Sequence, residues 1–169
     1  CQTLGQNVFI TEPPELTMLM GVTDETCAGA CDGMINSIPA GGTGAGTYTY
    51  IWTPSSGNLP LITNLCAGNY SLTVTDANGC SVSSNEVISG PAAVVINSVN
   101  VTDEVCAGDC SGIIDINASG ATLYSVDGIN YQTNNVFSNL CANNYTIYVE
   151  DANGCSATSP VVVSSPPPV

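Results

Sequence analysis

The chain states one pattern twice. Thr23-Asp24-Glu25-Thr26-Cys27-Ala28-Gly29-Ala30-Cys31 returns as Thr102-Asp103-Glu104-Val105-Cys106-Ala107-Gly108-Asp109-Cys110. Asn64-Leu65-Cys66-Ala67 and Asp76-Ala77-Asn78-Gly79-Cys80 return as Asn139-Leu140-Cys141-Ala142 and Asp151-Ala152-Asn153-Gly154-Cys155. The offset is 79 residues in the first block and 75 in the later ones, so the second copy is four residues shorter between them. A repeat of this period makes the chain an array of modules and leaves each module to build its own core.

Proline marks the boundaries. Pro13-Pro14, Pro91 and Pro166-Pro167-Pro168 follow the last apolar stretch of each unit. Proline fixes φ and offers no N–H, so these are short, stiff connectors. The expected layout is a closing strand of a preceding repeat, or a donor strand, at 1–12, then a first module at 13–90. The second module, with its Pro-rich linker, follows at 91–169.

Within each module, short runs rich in Val, Ile, Thr and Tyr are broken by Gly, Asn and Pro, which is a strand pattern. Strands are predicted near 15–23, 33–39, 47–53, 59–64, 69–76 and 81–89. Their counterparts lie near 93–101, 112–118, 121–126, 130–137, 144–150 and 156–163. Six or seven short strands in 75–80 residues point to an all-β chain of two tandem immunoglobulin-like sandwiches. Tyr70 and Tyr145 open a strand in the manner of a tyrosine corner, whose hydroxyl returns to the backbone a few residues upstream. Asp76-Ala77-Asn78-Gly79 and Asp151-Ala152-Asn153-Gly154 read as tight turns.

Composition narrows the partners. The chain has no Lys, Arg or His, and 14 Asp and Glu give it a net charge of −14. Nucleic acid is excluded as a partner, since phosphate binding draws on Lys and Arg, and anionic lipid offers no attraction either. At 44% hydrophobic residues the chain still has enough apolar surface to fold. No apolar run of 18 residues is present to insert in a membrane. Catalysis by the common general bases, Schiff-base nucleophiles or oxyanion-stabilising cations is unsupported, so the chain is read as a non-enzyme.

Nine cysteines in a chain this small indicate an oxidising, extracellular location, secreted or at the cell surface. Zinc fits poorly, because the spacing is C-x3-C and no His is available. A Cys27–Cys31 bond would restrict the unfolded chain least. The long-loop pairing Cys27–Cys80 with Cys31–Cys66, and Cys106–Cys155 with Cys110–Cys141, would contribute roughly 3–4 kcal/mol per bond. The swap in which Cys31 meets Cys80 stays open. Cys1 aligns with Cys80 and Cys155, which makes it the last cysteine of a preceding repeat with an inter-repeat partner; a lipid anchor on Cys1 is the rival reading.

Four Asn-x-(Ser/Thr) triplets, at Asn69, Asn100, Asn117 and Asn144, are candidate glycosylation sites. No cofactor is required by any motif. Calcium, if bound, is expected at a module junction, held by Asp24, Glu25, Asp103 and Glu104, with Asp76 and Asp151 added if their turns lie at the same end.

The order of motifs resembles a known family. Cys-Ala-Gly-x-Cys-(Asp/Ser)-Gly comes first, then Gly41-Gly42-Thr43-Gly44 before Tyr48-Thr49-Tyr50-Ile51-Trp52. Leu-x-Ala-Gly-x-Tyr follows, then Thr75-Asp76-Ala77-Asn78-Gly79-Cys80, then Pro. This resembles the SprB-type repeat, found in tandem in large surface adhesins of Bacteroidetes, gliding-motility adhesins among them. The second module departs from the pattern: it lacks the Gly-Gly-Thr-Gly run and the Trp, and Asn143 stands where Gly68 does. The family pattern needs only the first and last cysteines, so Cys31, Cys66 and their copies are additional, which supports pairing them with each other.

The resemblance implies a secreted, surface-displayed array whose partners are copies of itself or adjacent repeats. The expected function is a structural repeat unit of an extracellular filament or stalk; the alternative is an adhesin module that binds glycan or a surface. Trp52 divides the two: exposed beside carboxylates it would serve binding, and buried it would serve the scaffold.

Overall fold

The computed structural model describes residues 11–44, 46–54 and 57–167. Expectations for the stretch 1–10, including any bond made by Cys1, lie outside the described residues. The chain forms two compact units. One takes the chain up to Asp24 together with Cys31–Ser89; the other takes Glu25–Ala30 and everything from Gly90. This differs from a simple division at residue 90 in one respect: the segment Glu25–Ala30 groups with the second unit.

All twelve elements among the described residues are strands. The first unit has β1 (Thr17–Thr23), β2 (Gly33–Ala40), β3 (Thr49–Thr53), β4 (Leu61–Leu65), β5 (Gly68–Thr75) and β6 (Ser81–Ile88). They form two three-stranded antiparallel sheets, β1-β2-β4 and β3-β5-β6. Alternation decides which face each strand buries. In β5, Tyr70, Leu72 and Val74 are buried, while Ser71 and Thr73 between them are half-buried. Ile35, Ile62 and Leu65 from the first sheet meet Trp52, Tyr70, Leu72, Val74 and Ile88 from the second in one core. A core between two such sheets is an immunoglobulin-like sandwich.

The second unit repeats this with β7 (Val95–Thr102), β8 (Gly112–Ser119), β9 (Leu123–Ser125), β10 (Val136–Leu140), β11 (Asn143–Glu150) and β12 (Ser156–Val163). Its sheets are β7-β8-β10 and β9-β11-β12. Ile114, Ile116, Ile147, Val149 and Val163 form its core. Two predicted strands differ. The 121–126 strand contracts to 123–125, and the one expected at 130–137 begins at Val136. The cause is Asp127. Its Oδ1 accepts the N–H groups of Ile129 and Asn130 at 2.9 and 2.8 Å, which turns the chain where a strand was expected.

Both tyrosine corners form. Tyr70 donates its hydroxyl to the Cys66 carbonyl at 3.0 Å, and Tyr145 does the same to Cys141 at 2.9 Å. Each pins the crossover from one sheet to the other. Beside each corner runs a disulfide, Cys31–Cys66 in the first unit and Cys110–Cys141 in the second. Cys31 and Cys110 both have φ 52°, and Asn64 and Asn139 both have φ 58°, so each staple sits at the same pair of left-handed residues.

The other two expected bonds, Cys27–Cys80 and Cys106–Cys155, do not form. Cys27 is bonded to Cys155, with Cα atoms 5.5 Å apart, and Cys80 and Cys106 are free and exposed. Strand geometry gives the reason. Ser89 donates its N–H to Asp24 Oδ1, so the end of β6 lies beside the end of β1. Cys80 precedes β6 at its other end, eight strand residues or about 26 Å away. A disulfide needs Cα atoms within about 7 Å. The same holds in the second unit, where Ser164 donates to Asp103 Oδ1 past the end of β12 and Cys155 precedes its start.

Candidate functional site

Carboxylates organise the turns and loops at the ends of each unit. At one end of the first unit lies the turn between β5 and β6, built on Asp76. Its Oδ1 accepts the N–H groups of Asn78 and Cys80 at 3.0 and 2.8 Å. Its Oδ2 accepts the N–H and hydroxyl of Thr43 at 2.9 and 3.0 Å. Gly79 takes φ 90°, the left-handed conformation that the Asn-Gly pair was expected to supply. The donors, with the Thr43 N–H foremost, hold the Asp76 carboxyl below the ordinary carboxylate range. The glycines at 41, 42 and 44 are explained here. All three have positive φ, and a Cβ on Gly42 would stand 2.9 Å from Asp76 Oδ2. The run lets the backbone wrap the carboxylate.

The matching turn of the second unit is built on Asp151, whose Oδ1 accepts from Asn153 and Cys155 at 2.8 and 2.9 Å. It lacks the wrapping loop, in line with its missing Gly-Gly-Thr-Gly run.

A groove of roughly 250 Å³ opens beside the Asp76 turn, lined by Pro13, Pro14, Leu16, Gly42, Asp76 and Cys80 and edged by Glu12 and Glu15.

The loops of the repeated Cys-Ala-Gly-x-Cys sequence adopt one conformation in both copies. In the segment 25–30, Gly29 donates to Glu25 Oε2 at 3.2 Å and Ala30 to the Cys27 carbonyl at 3.0 Å. In the segment 104–109, Gly108 donates to Glu104 Oε2 at 3.1 Å and Asp109 to the Cys106 carbonyl at 3.2 Å. Both glutamates are buried. Glu104 also accepts the Ala142 N–H at 2.8 Å, and this bond is the main cause of its lowered pKa. These roles for Glu25 and Glu104 lay beyond the sequence reading, although the glutamate is the same in both copies.

The candidate calcium ligands are thus spread out and engaged. Asp24 and Asp103 each accept a backbone N–H from the residue after the closing strand, at 2.7 and 2.8 Å. Asp76 lies at the opposite end of its unit from Asp24, and Asp151 at the opposite end from Asp103. Neither joins the carboxylates of its own module, but Asp151 sits on the turn whose Cys155 is bonded to Cys27, two residues past Glu25. Oxygen and sulfur atoms of Glu104, Cys110 and Cys141 lie within 4.8 Å of one another. Those two sulfurs are joined to each other and offer no thiolate.

Trp52 is buried in the first core, 4% exposed, and donates its indole N–H to the Leu59 carbonyl at 3.0 Å. The side chains of Asn69, Asn100, Asn117 and Asn144 are all exposed, each on a strand. Among the described residues every buried side-chain polar atom has a hydrogen-bond partner, and no helix is long and apolar enough to cross a membrane.

Comparison with protein-family models finds no match, and comparison with curated protein sequences finds none. Among solved structures, the chain is similar to the full ectodomain (Ig1–Ig3) of mouse nectin-like molecule 4. The identity is 11% and the TM-score 0.37, over 93% of this chain and 67% of that one.

Proposed function

We propose that the chain is a non-catalytic structural segment of an extracellular array, a filament or cell-surface stalk of tandem immunoglobulin-like modules of the SprB type. One observation carries the reading: carboxylates that could have met a ligand are engaged in holding turns and loops of their own unit. Asp76 and Glu104 each accept several hydrogen bonds from their own unit. Trp52, the residue best suited to a sugar-stacking role, lies in the core. What varies between the modules is loop detail, and what is kept is the staple, the corner and the turn. Three disulfides support an oxidising compartment. A charge of −14 keeps such arrays soluble and apart, and the exposed Asn side chains leave room for sugar.

Immunogold labelling of the source cells with an antibody to the folded chain tests this. Label along filaments outside the cell is expected. Label confined to the cell interior would overturn the proposal.

A further inference from the structure

Among the described residues, the two free cysteines are complementary halves of a bond the chain already makes once. Cys27, in the repeated loop, is joined to Cys155, at the repeated Asp-Ala-Asn-Gly-Cys turn. In the remaining copies, Cys106 stands where Cys27 does and Cys80 where Cys155 does, and both are free and exposed. Each half holds the geometry of its bonded counterpart. The loop around Cys106 has the hydrogen bonds of the loop around Cys27, and Gly108 at φ 82° matches Gly29 at φ 75°. The turn before Cys80 closes with Asp76 N–H to the Cys80 carbonyl at 2.9 Å; its counterpart closes with Asp151 N–H to Cys155 at 3.0 Å.

We infer that Cys106 of one chain forms a disulfide with Cys80 of a second copy, with the loop 104–109 seated in the groove beside Cys80. The inference deepens the array reading and rests on it. The second unit shows how the seat is used: Glu25–Ala30 packs within it, and Cys155 Sγ lies 3.3 Å from the Thr26 carbonyl oxygen. The first unit has the groove at its own matching turn, with Cys80 in its lining. On the incoming loop, Val105 stands where Thr26 does and is 74% exposed, an apolar side chain suited to a groove floored by Pro13, Pro14 and Leu16. The bond is heterologous, since a loop meets a turn. Each joined copy therefore presents another free loop and another free turn, and the association propagates as an open line.

One difference between the two seats sets a condition. A Cβ on Gly41 would meet the Glu15 carbonyl, and one on Gly120 would meet that of Ala93, so Glu15 stands where Ala93 does. The loop likewise carries Asp109 where the bonded loop carries Ala30. The joint between copies thus brings like charges together, and salt should speed its formation by screening them.

Bond formation is thiol–disulfide exchange with a small disulfide oxidant. The Cys106 thiolate attacks the oxidant and releases one thiolate. The Cys80 thiolate then attacks Cys106 Sγ in the mixed disulfide and releases the second. Two protein thiols lose two protons and two electrons, and the oxidant is reduced to two thiols.

The test uses the full chain carrying Cys1→Ser, and two further variants of it, Cys80→Ser and Cys106→Ser. Each is incubated in oxidised and reduced glutathione at low and high salt, alone and as an equimolar mixture of the two variants. Non-reducing electrophoresis and mass spectrometry of Glu-C peptides are the readouts. The parent should give a ladder of multiples of 17.2 kDa that reductant collapses. The mixture should stop at the dimer, and each variant alone should stay monomeric. The Cys80–Cys106 peptide should exceed either symmetric peptide roughly tenfold. Equal dimerisation of a single variant alone, or a monomeric parent at high salt, would overturn the bond. Native filaments lacking the Cys80–Cys106 peptide would overturn it while leaving the array reading intact.

Discussion

Opening the Cys31–Cys66 staple should cost the first unit about 4 kcal/mol. The bond joins residues 35 apart in sequence, and the chain-entropy model gives about that figure for a loop of this length. A domain of some 80 residues is stable by roughly 4–12 kcal/mol in total, so the loss is a large share. At about 4–8 °C per kcal/mol for a domain this small, the double variant Cys31→Ala, Cys66→Ala should melt roughly 15–30 °C lower. The assay has a built-in reporter. Trp52 is the one tryptophan of the chain and lies in the first core, so its fluorescence follows that unit alone. A fall below about 5 °C would refute the reasoning, because it would mean that the staple does not restrict the unfolded chain as argued.

Other outcomes follow from the same structure. Trp52→Ala should destabilise the first unit by about 3–5 kcal/mol in urea unfolding, since it empties a core site and leaves the Leu59 carbonyl without its donor. Gly112→Ala should cost about 1–3 kcal/mol by overpacking in the same assay; its Cβ would lie 2.6 Å from Val163 Cγ1 and 2.7 Å from the Leu140 carbonyl oxygen. The pKa values of Asp76, Glu104, Asp109 and Asp127 are lowered by hydrogen bonds made in the folded state. Their contribution is therefore present above the ordinary carboxylate range, near pH ~4, and is lost as pH falls through the lowered values. Melting temperature should be flat between about pH 5 and 8, where only His would titrate from an unperturbed value, and should drop in acid; a drop beginning at pH 6 would contradict this.

Much of the fold was legible because the signals were local. Alternation of large with small or polar residues in Thr47–Trp52 and Tyr70–Thr75 located buried faces, and the paired Leu-Cys-Ala and Tyr motifs located the corners. The pairing of Cys27 was not legible. Loop length favours Cys80 over Cys31, but the choice between Cys80 and Cys155 depends on which end of a strand each cysteine occupies. Strand direction within the sandwich fixes that, and spacing along the chain does not record it. The strand expected at 130–137 starts late for a different reason: the Asp127 side chain outcompetes the ladder for the N–H groups of Ile129 and Asn130. The glutamate caps were hidden in plain view, because an acidic residue before a loop reads as surface charge until its acceptors are seen to be filled.

Electron micrographs of the native material should show thin filaments of beads, one per immunoglobulin-like unit, at a spacing of roughly 30–40 Å, since an eight-residue strand spans about 26 Å and loops close both ends. Discrete globular particles with no linear order would contradict the array reading.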